Sequence, residues 1–517
     1  MTEKGSEDRL VWVAVIAGVL GALMATLDIS IVNTALPKIQ GEIGASQDEG
    51  TWVSTAYLIA EIIMIPMAHW FSRMLSLRNF LLIVTVGFIC FSMLCGFSTN
   101  LVEMIMGRVG QGLTGGAMIP TALNIVATRL PPEKRSIGVS LFAMTAILGP
   151  ILGPAIGGWL TEYYTWHYAF FINLPIGIGL LGLLIIGLKP EKMQMDLLAR
   201  ADWFGILGLI VGLSCFTVIT EEGERLRWFE DTMIDWLAVF SVIGFITLIT
   251  SQFTAEEPII DLKILATRSF GSVFVMGLII GGALYGTLYL IPQFLTEIPN
   301  YNPATSGYVV TLSGVPALLI AACFPLIVRY VDVRIAVGLG FILYSASCFI
   351  DSHLTPYTAG PEFVFPQILR GFGQALCMIF LNQAATSAVS KEKLGDASGL
   401  FNAARNLGGS IGLSVITRLH DSRNWLHVRR IEESLTRNSV AGQDYMHLLA
   451  ARFPAGSVYA DSQEGLTHAY ALLTRQIETQ ASVMTYSDIF YIFAWFLIGV
   501  TPAVLFLKSL PQFKGRK

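Results

Sequence analysis

The sequence is poor in charge. Asp, Glu, Lys and Arg supply 14% of its 517 residues, where a soluble domain of this length carries roughly a quarter. The net charge of −4 is too small to point to a nucleic-acid partner. Cysteine is scarce as well. The six (Cys90, Cys95, Cys215, Cys323, Cys348 and Cys377) all fall in apolar segments, with no metal or disulfide spacing, and read as small residues of membrane helices. The start, MTEKGSEDR, lacks a basic n-region and a small-residue cleavage site, so the first apolar run is expected to be retained and not removed as a signal peptide. No nucleophile, metal or phosphate-binding motif stands out, and the glycine-rich runs lie inside apolar stretches instead of after strands. An enzyme, or a protein that carries a cofactor, is not expected.

What the chain has is apolar length. Hydrophobic residues make up 54% of it and the mean hydropathy is +0.62, which predicts an all-α, polytopic membrane protein. A spanning helix needs about 20 mostly apolar residues, and that rule finds about fourteen candidates. The predicted organisation is a cytoplasmic start (1–9), a six-helix bundle (10–200), an inserted helix pair (201–254), a second six-helix bundle (255–508) and a cytoplasmic tail (509–517). The second bundle includes a polar outer loop at 418–483 with seven arginines. Within that loop Tyr445 to Phe453 and Gly465 to Gln480 look helical and amphipathic.

Basic loops alternate with loops poor in Lys and Arg. The basic set is Arg73 to Arg78, Arg129 to Arg135, Lys189 to Arg200, Arg329 to Arg334 and Lys391 to Lys393. The positive-inside rule places that set, and both termini, in the cytoplasm.

The two bundles resemble each other. Ser140-Leu141-Phe142, Gly149 and Gly153 have the internal spacing of Gly399-Leu400-Phe401, Gly408 and Gly412. Arg108-Val109-Gly110-Gln111 is matched by Arg370-Gly371-Phe372-Gly373-Gln374. Pro37, expected to end the first span, is matched by Pro292 near the end of the ninth. Duplicated six-helix units are a transporter plan, with the binding site near the midplane between them.

One span is unusual. Gly149, Gly153 and Gly157 recur every fourth residue, with Gly158 beside the last. Such a stripe lets a neighbouring backbone come close. Pro150 and Pro154 each lack an N–H, so the carbonyls of Ala146 and Pro150 lose their helical donors. The stripe is assigned to helix contact between the two bundles, and the prolines to a bend that seals one face against leak.

Four ionisable residues lie inside spans: Asp28, Glu61, Arg108 and Arg405. Charges at such depth are costly and mark function by default. From the helical rise, Asp28 is about 13 Å, Glu61 about 15 Å and Arg108 about 10 Å from the outer end of its helix. The three share a depth in one bundle, so Asp28 and Arg108 are expected to meet. Arg405, about ten residues (roughly 15 Å) in from the inner end of its span, either pairs across the bundle or reaches toward the cytoplasm. Acidic groups would suit cationic substrates and the arginines anionic ones; the sequence leaves both open.

These stretches resemble a known group. Leu27 to Pro37 (LDISIVNTALP), Arg108 to Gly116 (RVGQGLTGG), the proline-glycine span, Phe170 to Gly177 (FFINLPIG) and Asn402 to Gly412 (NAARNLGGSIG) are similar to the motifs of the fourteen-span drug:proton antiporters of the major facilitator superfamily, and within them of the EmrB-type exporters. The resemblance covers nearly the whole chain. It adds Asn33, Gln111 and Gly112 as supporting residues and implicates Arg108 in proton transfer. It also implies export of hydrophobic or amphipathic compounds against protons, a bacterial inner membrane, a periplasmic membrane-fusion adaptor and a TolC-type outer-membrane channel. One loop departs from the superfamily's usual GxLxDRxGRR. Here His69 stands for the first Gly, Arg73 for the Asp and Ser76 for the second Gly. A carrier without proton coupling, a symporter for a defined solute, and a non-transporting scaffold or sensor are the competing readings.

Overall fold

A computed structural model describes residues 2–131, 133–255, 258–435 and 463–508. No strand occurs among them. The first group of helices is α1 (Thr2–Ile43), α2 (Gln47–Leu75), α3 (Leu77–Gly96), α4 (Leu101–Arg129), α5 (Arg135–Tyr163) and α6 (Asn173–Gly187, preceded by the short turn Tyr168–Phe171). Then come α7 (Trp203–Glu222) and α8 (Thr232–Thr254). The last group is α9 (Arg268–Glu297), α10 in two pieces (Pro303–Thr311 and Gly314–Ile327), α11 (Val333–Asp351), α12 (Val364–Ser387), α13 (Leu394–Ser434) and α14 (Gln463–Val500). The starts are chemically specified. A capping box between Ser46 and Glu49 opens α2, and the Asn100 side chain accepts from the Glu103 N–H at 3.0 Å to open α4.

Among the described residues, twelve helices are long and apolar enough to cross a membrane. The sequence-based count of about fourteen therefore exceeds what length and apolarity support, because α4 and α13 fall short. Both carry polar and small residues on a face packed against other helices. Gly107, Arg108, Gly110, Gln111 and Gly112 of α4, and Ser398, Asn402 and Arg405 of α13, are buried. A face covered by protein tolerates the polar residues that lower a helix's hydropathy.

Two other boundaries move. α1 runs through Pro37 to Ile43, and α9 through Pro292 to Glu297, so neither proline stops its helix. Much of the expected outer loop is helix. α13 continues to Ser434 and α14 begins at Gln463, with His427 Nε2 and Arg423 Nη1 reaching Asp488 Oδ2 at 3.0 and 3.4 Å. The apolar run ends near Arg418, but no Gly or Pro breaks the helix between there and Ser434. Tyr445 to Phe453 lies outside the described residues; Gly465 to Gln480 is helical, as read.

The internal repeat is visible in the packing. α1 lies along α5 as α9 lies along α13, and α3 pairs with α4 as α11 pairs with α12. A Cβ added at Gly149 or Gly153 would fall 2.6 or 2.1 Å from Thr26 or Ser30 of α1. One added at Gly408 or Gly412 would fall 2.0 or 2.5 Å from Leu278 or Gly282 of α9. In each group, two glycines four apart meet two residues four apart. The stripe on α5 thus packs within its own group of six, not between groups as the sequence suggested. Gly158 has open space around it and takes no part. On α5 it is a proline that comes near the other group: Pro154 lies 3.8 Å from a Cβ added at Gly307 of α10. α5 is helical through both prolines.

The two groups are joined at the end that carries the basic loops. Ser398 Oγ of α13 donates to the Pro120 carbonyl of α4 at 3.0 Å, and Ser140 Oγ of α5 donates to the Ala321 carbonyl of α10. A Cβ at Gly395 of α13 would fall 1.8 Å from His69 Nδ1 of α2. Close by, Lys393 Nζ pairs with Asp261 Oδ2 at 2.5 Å, and that hydrogen-bonded carboxylate raises the lysine's pKa above its ordinary value.

Candidate functional site

The site is set by how closely α4 approaches α2. A Cβ at Gly112 would lie 2.3 Å from the Tyr57 carbonyl, one at Gly115 2.6 Å from the Tyr57 hydroxyl, and one at Gly116 2.7 Å from the Glu61 carbonyl. Only glycines permit this approach, and it brings Tyr57 and Glu61 beside Arg108.

Arg108 is fully buried and saturated on one side. Its Nη1 donates to Asp28 Oδ2 at 2.6 Å and to Gln111 Oε1 at 3.1 Å, its Nε donates to the Val53 carbonyl at 3.0 Å, and the guanidinium sits 4.2 Å from the centre of the Tyr57 ring. Asp28 Oδ1 accepts from Gln111 Nε2 at 2.9 Å and from Asn173 Nδ2 at 2.7 Å. Asn173 in turn donates to Ser92 Oγ at 2.9 Å. The expected meeting of Asp28 and Arg108 occurs, and α1, α3, α4 and α6 all contribute to it. One nitrogen, Arg108 Nη2, has no partner among the described residues; the buried Tyr57 hydroxyl has none either.

Glu61 differs. It is 2% exposed, yet among the described residues its carboxylate has no hydrogen-bond or ion-pair partner. The charges of Arg405 and Arg108 both act on it. Arg405 is buried on α13, where its only close acceptor among the described residues is the neighbouring Asn406 Oδ1, at 3.3 and 3.4 Å. It faces the first group of helices electrostatically without forming an ion pair across. Gln111 belongs to the cluster, Gly112 acts by close approach, and Asn33 lies outside: it is exposed and accepts from Ser54 Oγ at 2.7 Å, linking α1 to α2.

Several residues escaped the sequence reading. Tyr57, Ser92 and Asn173 look like ordinary polar residues of apolar spans; only the isolation of Asn173 between FFI and LP gave a hint. A second buried pair, Asp351 of α11 with Arg370 of α12, also escaped. Arg370 Nη1 donates to Gln367 Oε1 at 3.0 Å, and its guanidinium lies 5.9 Å from the Tyr344 ring. The sequence match between Arg108 and Arg370 was the available signal. Asp351, last residue of its helix, resembles an interfacial cap.

Between the two groups lies a cavity of about 140 Å³. Pro150 and Pro154 of α5 and Pro292 of α9 line it, with Gly307 and Thr311 of α10 and Gln374 of α12. The wall is apolar with a few uncharged polar groups, which suits a hydrophobic ligand. Among the described residues no group of His, Cys, Asp and Glu could hold a metal ion.

With this geometry in place, three comparisons bear on the chain. The profile described as Major Facilitator Superfamily matches residues 18–413. The colistin resistance protein EmrB of Acinetobacter baumannii is 32% identical over 93% of this chain and 93% of its own length. The multidrug export protein EmrB of Escherichia coli (strain K12) is 30% identical over 98% of this chain and 97% of its own. Among solved structures, the human organic anion transporter MFSD10 (TETRAN) superposes with a TM-score of 0.59 at 15% identity, covering 94% of this chain and 99% of that one, a likeness of fold alone.

Proposed function

The chain belongs to the Major Facilitator Superfamily, whose members are transporters and not enzymes and typically draw on the proton-motive force instead of a bound cofactor; from that premise we propose that this secondary transporter exports hydrophobic or amphipathic compounds in exchange for protons, as an EmrB-type multidrug exporter. The observation that carries the proposal is the unpartnered, buried carboxylate of Glu61 beside the Asp28–Arg108 pair. Asp28 and Arg108 cancel each other's charge; the carboxylate of Glu61 makes no ion pair, and Arg405 and Arg108 act on it only at a distance. A proton taken up there removes a buried charge that no ion pair offsets, and so changes the field between the two groups of helices. A single carboxylate that serves either a proton or a substrate cannot serve both together, which is the logic of exchange. Asp28, Arg108 and Arg405 set the field in which Glu61 works, with Gln111 orienting Asp28.

In this reading α1–α6 and α9–α14 are two six-helix units, α7 and α8 are an inserted pair, and α4 and α13 also cross the membrane, giving fourteen. The basic-loop end is cytoplasmic, in a bacterial inner membrane. The outer extensions of α13 and α14, tied together at Asp488, are the surface offered to a periplasmic adaptor and through it to a TolC-type channel. Gly149, Gly153 and Gly157 hold α5 on α1, while Pro150 and Pro154 face the cavity across which the two units move.

The test is efflux in proteoliposomes with an imposed pH gradient. Exchange requires that substrate move against the direction of the proton gradient. Movement with the protons would make the protein a symporter, and indifference to the gradient would remove coupling altogether.

A further inference from the structure

The buried arginine of each group donates to a glutamine, but not to the corresponding one. In the first group Arg108 donates to Gln111, three residues on, and Gln111 donates in turn to Asp28. The match between the two halves of the sequence makes Gln374 the counterpart of Gln111. In the structure Gln367, three residues before Arg370, takes that place. It accepts from Arg370 Nη1 at 3.0 Å, and its Nε2 donates to the Val309 carbonyl of α10 at 3.2 Å. Gln374 is thereby released. It is half-buried, its amide makes no hydrogen bond among the described residues, and it lines the cavity between the two groups.

The other polar side chains on the cavity wall have spent their protons. Thr311 Oγ1 donates to the Gly307 carbonyl at 2.8 Å, and Ser313 Oγ donates to the Val310 carbonyl at 2.9 Å. The wall carries polar groups of a second kind in its backbone. Pro150, Pro154 and Pro292 stand four residues after Ala146, Pro150 and Leu288, so the carbonyls of those three residues lose the N–H that a helix would supply. All three residues line the cavity. Backbone without its helical partner is tolerated at membrane depth where it lines a cavity. The wall thus offers carbonyl acceptors, and Gln374 offers an amide that both donates and accepts. No charged residue lines it among the described residues. At about 140 Å³ the cavity is close in size to the roughly 150 Å³ apolar cavity that holds one benzene ring.

We propose that Gln374 determines specificity in a subsite for a single uncharged aromatic ring bearing a hydroxyl, or another group that both donates and accepts a hydrogen bond. A phenolic O–H donates to a proline-freed carbonyl, its oxygen accepts from Gln374 Nε2, and the ring fills the apolar remainder. An analogue without the hydroxyl leaves the amide and the carbonyl unpaired, which is where discrimination arises. Any ionised part of the compound lies outside this subsite. The proposal rests on the exporter reading above, since it names a class of compound for the cavity between the two units.

Purified full-length protein in detergent separates the two ideas, because binding needs no gradient. The probes are 4-butylphenol and 4-butyltoluene, in which a methyl replaces the hydroxyl, and titration calorimetry reads the ratio of their affinities. Partition into detergent is common to all variants and cancels when their ratios are compared. Gln374→Met keeps the length of the side chain and is expected to lower the phenol-to-hydrocarbon ratio about fivefold, on the order of one lost hydrogen bond. Gln383→Met, on the same helix but away from the cavity, is expected to leave the ratio at the parent value. A Cβ at Gly307 meets only Pro154, at 3.8 Å. Gly307→Leu therefore grows into the cavity and is expected to weaken binding of the phenol about fivefold or more. An unchanged ratio in Gln374→Met overturns the proposal, as does an equal fall in Gln383→Met or undiminished phenol binding in Gly307→Leu. Should Gln374→Met not yield monodisperse protein, Gln374→Ala carries the same test with the same expected fall, and no fall overturns the proposal. Loss of gradient dependence in proteoliposomes, with the ratio effect intact, would remove the exchange reading and leave the subsite in place. Gradient-driven efflux with no ratio effect would do the reverse.

Discussion

Arg108 Nη1 donates to Asp28 Oδ2 at 2.6 Å in a place where neither side chain meets solvent. Gln111 and Asn173 complete the carboxylate, so that α1, α4 and α6 share one buried polar joint. Removing one partner of such a pair leaves an uncompensated charge and costs about 3 to 5 kcal/mol. Arg108→Gln is accordingly expected to lower the melting temperature sharply, by stranding Asp28. Asp28→Asn keeps the shape but turns one acceptor oxygen into a donor and strands Arg108; it is expected to insert with a lowered melting temperature and to abolish proton-driven efflux. The Asp28→Asn/Arg108→Gln double variant should regain stability without regaining transport. Equal melting losses that simply add would show that the two residues do not act as a pair.

Glu61 calls for the opposite outcome. Because its carboxylate makes no bond among the described residues, Glu61→Gln removes a buried lone charge and no contact. Stability should be unchanged or higher by about 1 kcal/mol. Gradient-driven efflux should fall at least tenfold. Undiminished transport would make Glu61 a passive resident of the core, and transport lost together with folding would show that it is structural.

The glycine stripe separates packing from gating. An added methyl at Gly153 meets Ser30 at 2.1 Å, so Gly153→Ala is expected to cost about 1 to 3 kcal/mol by overpacking, and Gly153→Leu to block the cycle. At Gly158 the same methyl meets nothing, and Gly158→Ala should change stability by no more than about 0.5 kcal/mol. Pro154→Ala restores an N–H to the Pro150 carbonyl on the cavity wall. It should weaken coupling, read as protons moved per substrate, more than it weakens substrate binding. Matching melting losses at Gly153 and Gly158 would remove the stripe's packing role.

Much of this was readable from the chain. Hydropathy found the spans, and the four-residue glycine spacing found both helix–helix joints. The buried charges at equal depth foretold Asp28 with Arg108. What escaped did so for physical reasons. The count of about fourteen spans exceeded the twelve helices that length and apolarity support, because α4 and α13 carry buried polar residues that lower their hydropathy. Asp351 ends its helix and resembles a cap, so its pairing with Arg370 depends on where α12 lies. The direction of the α5 stripe was beyond any spacing rule: glycines at every fourth residue say that something comes close, and only the packing says that it is α1.

The joint at the basic-loop end gives the last prediction. Gly395 of α13 is packed against His69 of α2 so tightly that a Cβ would fall 1.8 Å from Nδ1 and 2.2 Å from Cγ. α2 supplies a ring and α13 supplies the space for it. Gly395→Ala forces the two groups apart there, which should disfavour the arrangement in which Ser398 Oγ reaches the Pro120 carbonyl. A Ser398→Cys reporter, in a background with the six native cysteines replaced, should label faster with a water-soluble maleimide when Gly395→Ala is present. His69→Ala empties the space that the methyl would enter, so the His69→Ala/Gly395→Ala double variant should return labelling toward the parent rate. If Gly395→Ala alone leaves labelling unchanged, the ring turns aside at no cost and the contact is not a latch. If the double variant labels as fast as Gly395→Ala, the methyl acts through some neighbour other than His69.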